Sequence, residues 1–264
     1  MKRGYIGTPE GQVHYATVGN SGPFLFLLHT SPLTGAEYAR AMMAMEGEVR
    51  AVAFDNPGYG HSDPPRSGPS PTLADYARPL AAAIDSFGAE RFALAGTHTG
   101  AGIAVALANG LLKGRLTHLI LSGIPFFTPE EVTYYRARTV RPEAHTDGRH
   151  LSQAWTRQIE RWGPDTDLAT HNWGVACGLW ALDSSRNPTI ACSDYDMAGA
   201  LRALDVPTLV VNGERDPLTK NDRRAVPLIP NATFTIVPGR TGPSLPYAEP
   251  GTYAQIVLGF LKRG

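Results

Sequence analysis

Gly96-Thr97-His98-Thr99-Gly100 is the stretch of sequence that decides the fold. It follows a short apolar run, Phe92-Ala93-Leu94-Ala95, and precedes a run of small residues from Ala101 to Ala108. This order predicts a strand, a sharp turn and a helix. One glycine lies two positions before the central residue of the turn, and another lies two positions after it. A turn of this shape is strained and lifts its central side chain to the top of a sheet. That side chain is His98.

Further apolar runs of strand length recur along the chain, separated by helical stretches. The runs are Phe24–Leu28, 49–54, 92–95, 119–122, 208–211 and 234–237. Continuous apolar strands that alternate with helices predict a mostly parallel sheet covered on both faces. Ligand sites in such sheets lie beyond the carboxyl ends of the strands. His29, Asp55, Gly96 and Gly213 each follow a strand, so we expect their loops to meet at one end.

The strand pattern stops between about Phe127 and Leu201. Thr128-Pro129-Glu130-Glu131 is typical of a helix start, with a threonine cap, a proline in the first turn and acids after it. This segment also holds all four tryptophans of the chain. We therefore predict a core of residues 1–126 and 202–264 with a helical lid of residues 127–201. A lid presents an apolar underside to its site, which favours an apolar substrate pocket.

Composition excludes several classes of function. The 264 residues carry 24 basic and 24 acidic side chains without a long charge run, so a nucleic-acid partner has no electrostatic support. No apolar run approaches the roughly 20 residues of a membrane helix, and no signal peptide is apparent. Cys177 and Cys192 do not have the number or spacing of a zinc site. We expect a cytoplasmic protein that binds a small molecule without a cofactor or metal; a homodimer is one possible assembly.

Four motifs in order resemble the α/β-hydrolase superfamily, in its lidded branch with esterases, haloalkane dehalogenases, epoxide hydrolases and C–C bond hydrolases. His29-Thr30-Ser31-Pro32 is similar to the H-G-x-P loop after the third strand, with threonine in place of glycine. The stretch from Phe54 to Asp63 is similar to the D-x-P-G-x-G-x-S turn. Gly96–Gly100 matches the nucleophile elbow, and Asn212-Gly213-Glu214-Arg215-Asp216-Pro217 matches the loop that carries the catalytic acid. The resemblance implies the α/β-hydrolase fold.

The chain departs from the family pattern at two of its three catalytic positions. The elbow carries His98 where the family has a serine. The family's histidine follows the last strand, but alignment back from Pro250 puts Pro243 there, and no histidine occurs after His171. The acid, Asp216, is retained.

This pattern predicts a dyad of His98 and Asp216. In the ordinary triad a histidine bridges the serine and the carboxylate. An imidazole on the elbow can reach into the vacated space and contact Asp216, which then orients the ring and stabilises imidazolium. Histidine titrates near neutral pH and suits general acid–base catalysis. Attack by His98 to form an acyl-imidazole is the less favoured mechanism, because no second base remains to activate water.

The resemblance also implies an oxyanion hole made by the backbone amides of Ser31 and Thr99. Thr30 and Ser31 add hydroxyls to this loop, and His29 is expected to brace it by hydrogen bonds. We therefore expect an enzyme acting on a small, largely apolar carbonyl compound, by hydrolysis or by a water-free lyase, isomerase or cyclase reaction. The alternative is a non-catalytic protein that binds an apolar ligand under the lid. Retention of Asp216 favours the enzyme.

Overall fold

The computed structural model describes residues 1–68, 70–138, 144–181, 187–239 and 242–263. Within these ranges the chain forms one eight-stranded sheet. The strands are Lys2–Thr8 (β1), Gly11–Val18 (β2), Phe24–Leu28 (β3), Arg50–Phe54 (β4), Phe92–Thr97 (β5), Leu116–Ser122 (β6), Thr208–Gly213 (β7) and Ala232–Val237 (β8).

The strand order in the sheet is β1-β2-β4-β3-β5-β6-β7-β8. The pairs β1–β2 and β2–β4 are antiparallel, and the remaining pairs are parallel. The predicted mostly parallel sheet is confirmed, and each of the six apolar runs corresponds to one of the strands β3 to β8, with Val49 lying one residue before β4. The N-terminal hairpin of β1 and β2 was not predicted. Its residues are mostly exposed or half-buried, so they lack the continuous apolar signal of the inner strands.

Helices cover both faces of the sheet. They are Ala39–Ala44 (α1), Leu73–Asp85 (α2), Thr99–Asn109 (α3), Pro129–Arg138 (α4), Arg149–Trp162 (α5), Leu168–Trp180 (α6), Asn187–Asp194 (α7), Met197–Arg202 (α8), Thr219–Ala225 (α9), Leu245–Ala248 (α10) and Pro250–Leu261 (α11). Among the described residues, no helix has the length and apolar character needed to cross a bilayer.

Side chains of successive strand residues enter two separate core layers. Phe26 of β3 packs in a layer with α2 and α3, whereas Leu25 and Leu27 pack in a layer with α1 and α11. This alternation is the period of two that a pleated strand imposes. Because both faces are buried, the register of the inner strands is strongly specified, and so are the positions of the residues that follow them.

The chain between β6 and β7 forms a helical insertion, which we define as α4 to α7, residues 129–194. The predicted start of α4 is confirmed: the Thr128 amide donates to Glu131 Oε2 at 3.0 Å, and the Glu131 amide donates to Thr128 Oγ1 at 3.3 Å. This reciprocal pair is a capping box. Ala191 and Cys192 of α7 are buried in the same core layer as α3, and so are Met197 and Leu201 of α8.

Candidate active site

The turn between β5 and α3 holds His98 in a strained conformation. Its φ is 49° and its ψ is −113°, and no other non-glycine residue in the described ranges has a positive φ. Such angles cost a non-glycine residue on the order of 1–3 kcal/mol and persist where the surrounding structure enforces them. Gly96 and Gly100 allow the close backbone contacts that hold His98 in this conformation. A Cβ on Gly100 would overlap the carbonyl oxygen of Leu28, and a Cβ on Gly96 would overlap that of Gly100.

The imidazole of His98 contacts the carboxylate of Asp216, as the sequence predicts. His98 Nε2 lies 2.9 Å from Asp216 Oδ2 and 3.1 Å from Oδ1. Both residues are only 6% exposed. The loop after β7 fixes the acid, because Asp216 Oδ1 also accepts a hydrogen bond from the Leu218 amide at 2.8 Å. Since a carboxylate only accepts hydrogen bonds, Nε2 carries the proton of the neutral imidazole and Nδ1 is unprotonated.

The electrostatics of this pair favour its charged form. Burial lowers the pKa of His98, but the charge of Asp216 and its hydrogen bond outweigh burial, so the pKa is raised above its ordinary value. Burial raises the pKa of Asp216, but the same contact outweighs it and the pKa is lowered. A proton that reaches the imidazole is therefore held more firmly than on a free histidine.

Two residues that sequence reasoning missed shape the space around the imidazole. A Cβ on Gly123, which follows β6 with a φ of 65°, would overlap His98 Cδ2. Asp222 holds this segment, accepting from the Gly123 amide at 3.1 Å and from the Ile124 amide at 2.7 Å. Burial raises the pKa of Asp222 to about 7. Glycine directly after a strand is a usable signal, whereas nothing in the sequence distinguishes Asp222.

Ser31 and Thr99 lie together as predicted, but their amides do not form an open oxyanion hole. The Ser31 amide donates to Thr99 Oγ1 at 2.9 Å, and Thr99 Oγ1 donates to Ser31 Oγ at 2.9 Å. The side chain of Thr99 thus takes the place of the expected carbonyl oxygen. The hydroxyl that occupies this donor comes from Thr99 on the elbow, and not from Thr30 or Ser31, whose hydroxyls the sequence analysis described as additions to the loop.

The other two residues of the predicted loop have different positions. Thr30 lines the cavities beside His98, and its amide donates to the buried carboxylate of Glu37 at 2.8 Å. His29 is fully buried: Nδ1 donates to the Thr30 carbonyl oxygen at 2.9 Å, and Nε2 accepts from the Asn56 amide at 2.7 Å. With both nitrogens engaged, His29 braces the loop, as the sequence analysis expects, and leaves no free ring nitrogen for a bound molecule.

Two cavities that share His98 and Arg161 in their walls open beside the dyad. The inner cavity, of about 80 Å³, reaches the oxyanion loop and has Phe127 and Leu218 among its walls. The outer cavity, of about 350 Å³, lies against Pro243, where the family's histidine was expected. His98 Nδ1 makes no hydrogen bond within the described part of the chain, so it is the nitrogen available to a bound molecule.

His171 of the helical insertion does not join this site. His171 is fully buried, its ring packs beside Trp155 and Trp162, and Nε2 lies 3.2 Å from the Gly163 carbonyl oxygen. Asp55 likewise braces its own turn, by accepting from the Gly35 amide at 2.7 Å and the His61 amide at 3.0 Å. Neither residue lines the two cavities.

Curated relatives cover nearly the whole chain. A non-heme haloperoxidase from Rhodococcus erythropolis is 25% identical over 255 residues, which span 89% of this chain and 91% of the relative. A bifunctional esterase/perhydrolase from Acinetobacter calcoaceticus is 22% identical, with 96% of both chains covered.

A solved structure has the same fold. The structure of a thermophilic esterase from Thermogutta terrifontis aligns with a TM-score of 0.81 at 21% identity, covering 100% of this chain and 99% of that chain. The family model described as alpha/beta hydrolase family matches residues 25–256. With most of its length matched, this chain belongs to the alpha/beta hydrolase family.

Proposed function

We propose that this chain is an enzyme that acts on a small carbonyl compound by acid–base chemistry of His98, oriented by Asp216. The observation that carries the proposal is the contact of 2.9 Å between His98 Nε2 and Asp216 Oδ2, on a strained turn that faces a cavity. The relatives named as esterases support a hydrolase activity as the general class.

The arrangement of protons gives His98 the role of a base first and an acid second. Nε2–H donates to Asp216, so Nδ1 carries the lone pair that takes a proton from water or from a carbon next to the carbonyl group. Asp216 stabilises the imidazolium that results, and the same proton then passes to the leaving group or to another carbon. Hydrolysis follows where water is the nucleophile. A lyase, isomerase or cyclase reaction follows where water takes no part.

One observation favours a second candidate, a non-catalytic protein that binds a ligand beneath the helical insertion, which would then act as a lid. The Ser31 amide is occupied by Thr99 Oγ1, so an oxyanion hole is not preformed. In the enzyme, a carbonyl oxygen replaces that hydroxyl, which requires Thr99 to rotate. The Thr99 amide, at the first position of α3, is a second donor.

The test compares the wild type with His98→Ala, Asp216→Asn and the double variant. We expect p-nitrophenyl esters, enol lactones and 1,3-diketones, incubated in deuterated buffer, to show turnover or deuterium exchange by NMR in the wild type. Each single variant should lose about 10²–10⁴-fold in rate, the range of general acid–base catalysis. The double variant should lose little more, because the two residues act as one unit.

Replacement of His61, which lies outside the two cavities, by alanine is the matched control and should leave the rate unchanged. Full activity in His98→Ala, or independent additive losses, would contradict the dyad. Stoichiometric labelling of Ser31, Ser122 or Ser244 by a fluorophosphonate would show that a serine is the nucleophile. Ligand binding without any turnover across the panel would support the non-catalytic alternative.

A further inference from the structure

Arg161, in the last turn of α5, lies where three cavities of the site meet. It lines the inner cavity and the outer cavity, both with His98, and a narrow third space of about 10 Å³ beside Ser31. Its positive charge is felt at the dyad, where it opposes protonation of His98 and so acts against the effect of Asp216. The helical insertion therefore adds a cation to a site whose chemistry involves a carbonyl group.

The described part of the chain offers this cation no hydrogen-bond or ion-pair partner. Within the described ranges Arg161 makes no hydrogen bond or ion pair, although Arg115 and Arg224 are each paired with a carboxylate. Among the described residues, no aspartate or glutamate lines the inner cavity. Glu160 and Asp165 line the outer cavity but not the inner one, so Arg161 adds a positive charge to an inner cavity whose described lining has no carboxylate.

The walls of the inner cavity supply the rest of a binding site for an organic anion. The lining includes two apolar residues, Phe127 and Leu218, and two residues with hydroxyl groups, Thr30 and Ser31. A guanidinium presents two parallel N–H groups that match the two oxygens of a carboxylate. Charge attraction is stronger in such a partly enclosed space than at an open surface.

We propose that the molecule bound at His98 carries a carboxylate, held by Arg161, on an apolar body within reach of the dyad. The proposal rests on the proposed function only for the carbonyl group, and it adds a charged group to the small, largely apolar compound that the sequence predicts. Since Arg161 opposes protonation of His98, a bound carboxylate that neutralises Arg161 makes His98 the stronger base when the site is filled.

The test uses calorimetric titration with benzoate, phenylacetate and acetate, and with benzamide as the neutral counterpart of benzoate. The wild type should bind at least one of the carboxylates, and Arg161→Gln should weaken that binding about tenfold or more, the loss expected for a charge-assisted contact. Binding of benzamide should not depend on Arg161. The affinity of Arg161→Lys for carboxylates should lie between those of the wild type and Arg161→Gln, because lysine keeps the charge without the planar guanidinium.

Arg157→Gln is the matched control, since Arg157 lies one turn earlier on α5 and lines a different surface depression. It should bind carboxylates like the wild type. Equal weakening in Arg157→Gln and Arg161→Gln, or no binding of any carboxylate that depends on Arg161, would overturn the proposal. Because Arg161 is exposed, its replacement should not disturb folding, which thermal unfolding checks.

His98→Ala separates this proposal from the proposed function. It should still bind the carboxylate, while NMR titration of the wild-type imidazole should show the pKa of His98 rising when the carboxylate is bound. If turnover survives in His98→Ala while Arg161→Gln loses carboxylate binding, the dyad fails and the anion site stands. If carboxylate binding ignores Arg161 while His98→Ala loses turnover, the anion site fails and the dyad stands.

Discussion

Thr99 shows how one side chain changes a site that a motif otherwise describes. The elbow positions its amide at the start of α3, but its hydroxyl closes on the Ser31 amide at 2.9 Å. An amide in this position is nearly buried and needs a partner at all times. Thr99 provides that partner, and under the proposed function a substrate carbonyl oxygen would replace it. The hydroxyl thus keeps the loop intact in the absence of a ligand.

Removal of this hydroxyl should destabilise the folded chain. We expect Thr99→Ala to lower the free energy of unfolding by about 1–3 kcal/mol, because the buried Ser31 amide loses its acceptor. Thr99→Ser keeps the oxygen and should stay close to the wild type. Urea unfolding of the three proteins measures the difference. Equal stability of Thr99→Ala and Thr99→Ser would mean that the contact does not hold the loop.

The dyad was predictable from the sequence, whereas its surroundings were not. His98 and Asp216 each belong to a local motif, so a short stretch of sequence was enough to indicate them. The roles of Gly123, Asp222 and Arg161 depend on residues far away in the chain. At Gly123, for example, an added Cβ would overlap the imidazole of His98. Such roles depend on packing between distant segments, and local pattern carries little information on it.

The same contrast holds for strands and helices. The inner strands β3 to β8 are buried on both faces, so their apolar runs were readable without the structure. The edge hairpin β1–β2 is partly exposed and escaped the pattern. The threonine, proline and acids of Thr128-Pro129-Glu130-Glu131 predicted the start of α4. No local signal indicates that α5 brings Arg161 to the cavity that His98 also lines.

Over the whole molecule, the site contains more buried carboxyl groups than the two-residue dyad requires. Glu37 is fully buried behind the oxyanion loop, and burial raises its pKa from an ordinary value near 4.5 to about 7. Asp222 is buried beside Gly123, and its pKa is also raised to about 7. Between the ordinary pKa of each carboxyl group and its raised pKa of about 7, the folded chain binds more protons than the unfolded chain. The two groups therefore lower stability as pH rises.

Glu37→Gln should make this dependence on pH weaker. Between about pH 4.5 and 7, the wild type should lose stability through Glu37, by roughly 3 kcal/mol at most, because each unit of pKa shift corresponds to about 1.4 kcal/mol. Glutamine does not ionise, so the variant should show a shallower decline, with the part due to Asp222 remaining. Urea unfolding at pH 5 and pH 7.5 measures the decline in the free energy of unfolding of each protein. A slope unchanged from that of the exposed control Glu46→Gln would contradict the assignment.

Because Gly123 has no side chain, the imidazole of His98 occupies a space that a free imidazole molecule could fill in its place. His98→Gly would leave a ring-shaped space between Gly123 and Asp216, and glycine accepts a φ of 49° without strain. Free imidazole should enter that space, hydrogen-bond to Asp216 and restore turnover in a saturable manner, as small molecules occupy cavities of matching shape. Assays across an imidazole gradient measure this rescue, and the same gradient should have no effect once Asp216→Asn is added. The variant would then be an enzyme that a diffusible base switches on and washing switches off.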